Sequence, residues 1–448
     1  MMSAPSKRQT QSESVPGYAA RKAAMAMLSD VLRRKRPLDV AASDALVAAN
    51  LPPRDAGFAR TIATTSLRRF GQLEALIRGF VPKSPPPHKA GPTLEILLAA
   101  ACELLFLGVA PHAAVDAANR LAQSDAKAVH FKALINAVLR RVAKEGETML
   151  AGQDAAALNT PDWLWPRWVA NYGEETARVI AGAHLPVPPL DLTLRSPDDP
   201  STDLAGERLA PGRLRLKDAG RIEELPGFHD GNWWVQDFAA PLPARLFGDI
   251  TGKVVIDLCA APGGKTAQLA AAGAHVTAVD VSSDRLAVID ENLKRLKLAA
   301  NLVAADARDW RPLAPAPLVL LDAPCMSTGT IRRHPDLPWL KTAADLSIYE
   351  TLQRELLDAA AEMTAEGGTL VYAVCSLEPE EGEEQIAAFL RRRSDFARVP
   401  IAPEDVFDAQ FVSPVGDLKT LPFYWGERAG MDGFYAARLR RYSNRPKA

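Results

Sequence analysis

Between residues 17 and 147 Ala, Leu, Val and Met recur at three- and four-residue spacing through RKAAMAMLSDVL, GFARTIATTSLRRFGQLEALIRGF, GPTLEILLAAACELLFLG, AAVDAANRLAQ and FKALINAVLRRVAKEG. That spacing, with no strand-like alternation between the segments, predicts one all-helical domain. Its third connection is broken by the prolines of VPKSPPPHK. Residues 155–240 read differently, with six prolines between Pro186 and Pro211, a tryptophan-rich PDWLWPRWVANYG and a short strand-like LDLTLR, and are expected to form a small α+β connecting module. From about Gly252 the pattern alternates. VVIDLCA, HVTAVDV, NLVAADA, PLVLLDAP and GTLVYAVCS read as five strands, mostly continuous apolar runs of the kind buried on both faces of a parallel sheet. Helical patterns intervene at KTAQLAAAG, SDRLAVIDENLKRLK, TAADLSIYETLQRELLDAAAEMTAEG and EEQIAAFLRRR, and DGFYAARLRR is expected to close the chain as a last edge strand. The expected fold is therefore a doubly wound α/β domain over 241–445, preceded by the helical domain and the connecting module. Residues 1–16, polar and rich in small residues, are expected to be a mobile tail.

Composition narrows this picture only a little. The 448 residues are 48% apolar and 24% charged, ordinary for a soluble globular chain. Cys102, Cys259, Cys325 and Cys375 are scattered without a C-x-x-C pair, which argues against a zinc site or a disulfide framework and suits a reducing cytoplasm. The most apolar stretch, LEILLAAACELLFLGVA, is interrupted by Glu95 and Glu103, so no membrane span is expected. A net charge of −1 means that a nucleic-acid partner must be met by local basic patches. Arg33, Arg34, Lys35 and Arg36 form one such cluster, Arg68 and Arg69 a second, and Arg140 and Arg141 a third. Trp163, Trp165 and Trp168 are expected to pack a helix start rather than to stack on bases.

The candidate chemistry lies at the ends of the predicted strands. CAAPGGKT follows the first, and resembles a phosphate-binding loop except where it matters: Cys259 stands where the first glycine is required, and Pro262 removes an N–H from the cradle. No G-x-G-x-x-G follows the strand either. The residues Cys259, Ala260, Ala261, Pro262, Gly263, Gly264 and Lys265 are thus read as a turn that brings backbone close to a small ligand at a helix N-terminus. Asp280 ends the second strand 23 residues after Asp257, where an acid commonly grips ribose hydroxyls; Asp306 ends the third and suits an adenine amino group; Asp322 ends the fourth. The expected cofactor is an adenosine compound without polyphosphate, S-adenosyl-L-methionine. Cys325 and Cys375, fifty residues apart, each sit just past a strand at the same rim.

DLCAAPGGKT, LLDAPC-x-x-TGTIRRHPD, the Cys-Ser pair of VYAVCSLEPEEGE and DGFYAARLRR resemble the signature blocks of RNA cytosine-C5 methyltransferases. RDAGFAR…SLRR, LLAAACELLFLGVAPHAAVDAA and ALINAVLRR resemble the NusB-type domain fused to that catalytic domain in RsmB-type (Sun/Fmu) enzymes, which methylate 16S ribosomal RNA. The resemblance spans nearly the whole chain after residue 16 and implies a class I (Rossmann-like) S-adenosylmethionine-dependent fold. It assigns Cys375 as the nucleophile that adds to C6 of cytosine and Cys325 as the residue that assists product release. Asp322 is expected to protonate N3, and Lys265 to line the same pocket. Arg332, Arg333 and His334, with Arg33 and Arg34 more remotely, are expected to hold flanking RNA phosphates. The resemblance implies an RNA partner, 16S rRNA first, with no DNA partner and a monomeric, cytoplasmic protein.

The chain departs from the family's usual pattern at Met326 and Ser327, where Ser-Gly is common, and at Val374, where Thr is common. The same chemistry on tRNA or 23S rRNA, a phosphate-loop hydrolase, and a non-catalytic RNA-binding assembly factor remain as alternatives from the sequence.

Overall fold

The helical spacing of the N-terminal stretch resolves into amphipathic helices. A computed structural model describes residues 17–81, 86–196, 204–217 and 219–443, so the expected tail over 1–16 lies outside the described residues. The chain divides into two units: one runs to Pro186 and takes back Ile331–Thr342, and the other comprises Val187–Thr330 and everything from Ala343 onward.

In the first unit α1 (Tyr18–Arg34) buries Ala20, Ala23, Ala24, Met27, Leu28 and Val31, a single stripe at helical spacing. It packs with α2 (Leu38–Ala49), α3 (Pro53–Arg68), α4 (Phe70–Phe80), α5 (Thr93–Phe106), α6 (Pro111–Ser124) and α7 (Lys132–Ala151). The two glutamates that interrupt the apolar α5 are both buried and both paired. Glu103 accepts from Arg21 Nε at 3.0 and 2.8 Å, and Glu95 pairs with Arg33. Burial pushes the Glu103 carboxyl up, against the pull of Arg21. No helix among the described residues is long and apolar enough to cross a membrane.

The stretch 155–240 is not one module. Its first part folds as α8 (Trp165–Tyr172) and α9 (Glu174–Ala183) within the first unit, because its indoles find their partners there. Trp168 is fully buried with its ring 5.5 Å from His184, and Trp163 Nε1 donates to the Pro338 carbonyl at 3.2 Å. The remainder opens the second unit as a four-stranded antiparallel sheet in the order β2-β3-β1-β4, with β1 Leu190–Leu194, β2 Glu207–Ala210, β3 Arg213–Leu216 and β4 Trp233–Val235. A fully buried pair, Arg215 to both oxygens of Asp191 at 2.6 Å, fastens its centre.

The main sheet of the second unit carries β5 (Val254–Leu258), β6 (His275–Asp280), β7 (Asn301–Ala304), β8 (Ala316–Asp322) and β9 (Thr364–Val374), all parallel, in the spatial order β9-β8-β5-β6-β7. Helices α10 (Gly264–Ala271), α11 (Ser283–Leu296), α12 (Ala343–Met363) and α13 (Glu383–Arg392) accompany the sheet, α12 being the crossover from β8 to β9. Antiparallel β12 (Phe434–Arg441) lies beside β9. It is not the edge that its sequence predicts: β10 (Phe396–Arg398) and β11 (Leu418–Thr420) cover its other side, each too short to carry a two-residue alternation. Strand order reverses between β5 and β8, and in an open α/β sheet the crevice at that reversal, beyond the carboxyl ends of the strands, is where ligands bind.

Candidate active site

The turn after β5 opens that crevice. Cys259 has φ +58° and Gly263 φ +96°, and a Cβ on Gly263 would stand 2.9 Å from the Ile289 side chain, so only glycine fits there. Asp280 at the end of β6 braces the turn, accepting from Ala261 N and Ser282 N, both at 3.0 Å. Asp306, beyond β7, is gripped by Arg308, whose Nη2 donates at 2.6 Å and lowers the carboxyl's affinity for protons. Asp257, the penultimate residue of β5, is fully buried; Thr266 Oγ1 donates to one oxygen at 2.6 Å and the other has no partner. Burial raises its pKa to about 7.

These acids converge. After burial itself, the fields of Asp280, Asp322, Asp257 and Asp306 all push the Cys259 thiol up. The rim carboxyls of Asp280, Asp306 and Asp322, with the turn's amide at Pro262 removed, repel polyphosphate and suit a nucleoside bearing a positive charge. S-adenosylmethionine is such a molecule, with its sulfonium and ammonium groups. The residues that would hold it are the Gly263–Gly264 turn, Asp280 and Asp306.

Beside the crevice stand the two thiols. Cys325 Sγ and Cys375 Sγ are 3.5 Å apart. The loops that carry them are zipped together: Gly329 N donates to the Cys375 carbonyl at 3.0 Å, Leu377 N to Thr328 Oγ1 at 2.9 Å, and the hydroxyls of Thr328 and Ser376 lie 3.2 Å apart. Gly329 is also required. A Cβ there would stand 2.0 Å from the Gly433 carbonyl oxygen, on the loop that leads into β12. Contact with Cys325 holds the Cys375 thiol below its usual range against burial, while the same contact and then burial carry Cys325 well above it. Lys265 Nζ donates to Asp322 Oδ2 at 2.6 Å, and the charges of both act on the Cys375 thiol, Asp322 raising it and Lys265 lowering it, which brings all four expected catalytic side chains together.

Several contributors escaped the sequence reading. Glu381, fully buried, accepts from Met326 N at 3.0 and 3.1 Å and from Gln353 Nε2 at 2.8 Å, while Gln353 Nε2 also donates to the Pro324 carbonyl at 2.8 Å. Together they fix the loop on both sides of Cys325. Within LEPEEGE nothing distinguishes Glu381 from a solvated acid. Ser327 has φ +57°, the left-handed region that a glycine occupies without strain, and its hydroxyl lies 3.7 Å from Cys325 Sγ. Met326 and Val374, the other two departures, are fully buried.

The expected RNA contacts fare unevenly. Arg332 is a correction: it is 1% exposed inside the first unit, where Arg68 Nη1 donates to its carbonyl at 2.7 Å, and a guanidinium so enclosed is not displayed to phosphates. Arg333 is half-buried and His334 exposed. Arg33 is committed to Glu95 and to the Gly91 carbonyl, at 2.7 Å for the latter, and so is likewise not the free cation expected. Arg34 is exposed, 2.7 Å from Asp30 one turn earlier.

A Rossmann-like sheet with this rim defines a class I S-adenosylmethionine-dependent methyltransferase. Comparison with known proteins narrows the class. The family model "16S rRNA methyltransferase RsmB/F" matches residues 249–440, and that of the NusB family matches 18–144. Ribosomal RNA small subunit methyltransferase B of Cronobacter sakazakii is 36% identical over 83% of this chain and 87% of its own length; its counterpart in Vibrio cholerae is 34% identical over 89% and 92%. Among solved structures, that of PH0851 superposes with a TM-score of 0.74 at 23% identity, covering 96% of this chain and 99% of its own. NSun6 from Pyrococcus horikoshii, solved with SFG, gives 0.50 at 22% identity over 63% and 99%. The chain belongs to the RsmB/F family of rRNA methyltransferases, enzymes that depend on S-adenosylmethionine.

Proposed function

We propose that this enzyme methylates C5 of a cytosine in small-subunit ribosomal RNA through a covalent adduct at Cys375. The observation that carries the reading is the thiol pair at 3.5 Å, a contact that holds the Cys375 thiol below its usual range. C5 of cytosine is too electron-poor to attack a methyl donor directly, so a thiolate must first add to C6 and make C5 nucleophilic. A thiolate favoured at Cys375 is suited to that addition. S-adenosylmethionine, when bound, supplies the electrophilic methyl group.

As Cys375 adds to C6, electron density moves to N3, and Asp322 delivers a proton there, with Lys265 at 2.6 Å able to replace it. The C5–methyl bond then forms. The C5 proton then passes to water, its electron pair forms the C5–C6 double bond as the C6–sulfur bond breaks and Cys375 leaves as thiolate, and N3 returns its proton to Asp322. Cys325 assists this elimination from its position beside Cys375. Because the ring edge must reach a rim of side chains, the target cytosine is single-stranded or flipped from its stack. The alternative of a phosphate-loop hydrolase finds no support, since the turn lacks both the glycine and the amide that a polyphosphate needs. Incubation with methyl-labelled S-adenosylmethionine and 16S rRNA tests the reading. Label should be recovered as 5-methylcytidine after digestion; label in any other nucleoside, or none in RNA, overturns it.

A further inference from the structure

We propose that the second unit holds a phosphate-binding site in the cavity between its small sheet and the C-terminal half of α10, separate from the thiol rim. The cavity encloses about 390 Å³, and its wall carries three arginines from three different elements, Arg195 after β1, Arg213 at the start of β3 and Arg245 ahead of β5. No aspartate or glutamate lines it among the described residues. The α10 residues in its wall run from Gln268 to Ala272, at the opposite end of the helix from the glycine turn that faces the cofactor crevice.

None of the three guanidiniums makes a salt bridge among the described residues, although the Asp405 carboxylate partly offsets the burial of Arg245. Arg213, 8% exposed, donates to Thr193 Oγ1, a neutral hydroxyl whose own proton goes to Gln236 Oε1 at 2.8 Å. Arg245 donates to the backbone carbonyl of Asp405 at 3.2 Å and stacks 3.9 Å from the Phe407 ring centroid, while the Asp405 carboxylate is held by Arg438 at 3.1 Å. Arg195 donates to the Leu296 carbonyl at 3.1 Å. Burial first, and then the neighbouring charge of Arg245, bring Arg213 down to about 9, so it still carries its charge at neutral pH. Buried cations that repel one another are held at a cost that an anion would relieve.

Guanidinium forks match the oxygens of a phosphate in number and geometry, and a doubly charged ester answers three cations better than a carboxylate does. The space exceeds one phosphate and admits an attached sugar or base beside Trp234. The same chemistry is offered by a free phosphorylated nucleoside and by a backbone phosphate of RNA.

Calorimetric titration of the full chain with inorganic phosphate and with AMP, at fixed ionic strength, distinguishes these sources when paired with filter binding of an RNA hairpin over a salt series. Saturable binding of AMP or phosphate that weakens at least about tenfold in Arg245→Gln and Arg195→Gln supports the site with a free ester as ligand. RNA affinity that drops in those variants, with the salt slope reduced by about one, supports it with backbone phosphate as ligand. If AMP, phosphate and RNA all bind the variants as they bind the unaltered chain, the site does not exist. Arg213→Met is a second probe, read only if its melting curve remains cooperative; the half-buried Arg195 and Arg245 carry the test otherwise.

Discussion

Cys375 and Cys325 carry the same functional group and receive opposite treatment from their surroundings. Contact with Cys325 favours a thiolate at Cys375, and the partner held as thiolate is the better nucleophile at neutral pH. The positions of both thiols were legible because each follows an apolar strand run, and a strand end beside a glycine turn is a small target. Their 3.5 Å contact was not legible, since it depends on Thr328, Ser376 and Gly329, whose hydrogen bonds no periodicity encodes. Two buried acids support the site from beneath. Asp257 and Glu381 both titrate near 7, raised chiefly by burial. Unfolded, they ionise near pH 4. Between about pH 4 and 7 the folded chain therefore binds more protons than the unfolded one, and stability contributed by these neutral carboxyls is full below that window and lost as pH rises through it. A tenfold change in proton affinity is worth about 1.4 kcal/mol, which makes the contribution on the order of 4 kcal/mol for each group. Asp257→Asn or Glu381→Gln should flatten the decline in urea midpoint between pH 5 and 8; an unchanged pH dependence in both variants would mean that neither carboxyl is neutral in the fold.

At the scale of elements, β5 to β9 read directly as buried apolar runs, and their parallel order places five carboxyl ends on one rim. What the sequence could not reveal is the short antiparallel cover, since β10 and β11 are three residues each and pair with β12 only through long-range contact. The loop after β8 gains its shape from the loop before β12 through the mutual contact of Gly329 and Gly433, whose N–H donates to the Gly329 carbonyl at 2.8 Å. Gly329→Ala should separate these loops and misplace Cys325 relative to Cys375. A displacement of about 1 Å at a reacting pair costs on the order of a hundredfold in rate. The expected signature is a steep loss of kcat with little change in KM for S-adenosylmethionine, since the glycine turn after β5 is untouched. A variant with wild-type kcat would show that the Gly329 contact does not position the thiols.

For the whole molecule, the boundary between helical and α/β sequence was visible in the switch of hydrophobic period, yet the assignment of 331–342 to the helical unit was not. That segment leaves the catalytic sequence and packs Trp339 and Leu340 against the helical core, with Asp336 Oδ2 accepting from Leu38 N at 2.8 Å. Arg332 follows from this. Its sequence context, IRRHPD beside a catalytic cysteine, suggests phosphate contact, but its burial makes it a structural residue of the helical unit. Arg332→Ala should lower the melting temperature and leave the salt slope of RNA binding unchanged; a slope reduced by about one with unaltered melting would return Arg332 to the RNA interface. The arginine-lined cavity has the same origin in long-range folding, since Arg195, Arg213 and Arg245 stand eighteen or more residues apart in the chain.

The central claim is the division of labour between the thiols, and a denaturing gel of enzyme incubated with RNA and S-adenosylmethionine tests it most directly. Cys325→Ala should accumulate a covalent protein–RNA band, because addition at C6 proceeds and release does not, while Cys375→Ala should form none. A band in Cys375→Ala and none in Cys325→Ala would contradict the account and assign the attack on C6 to Cys325.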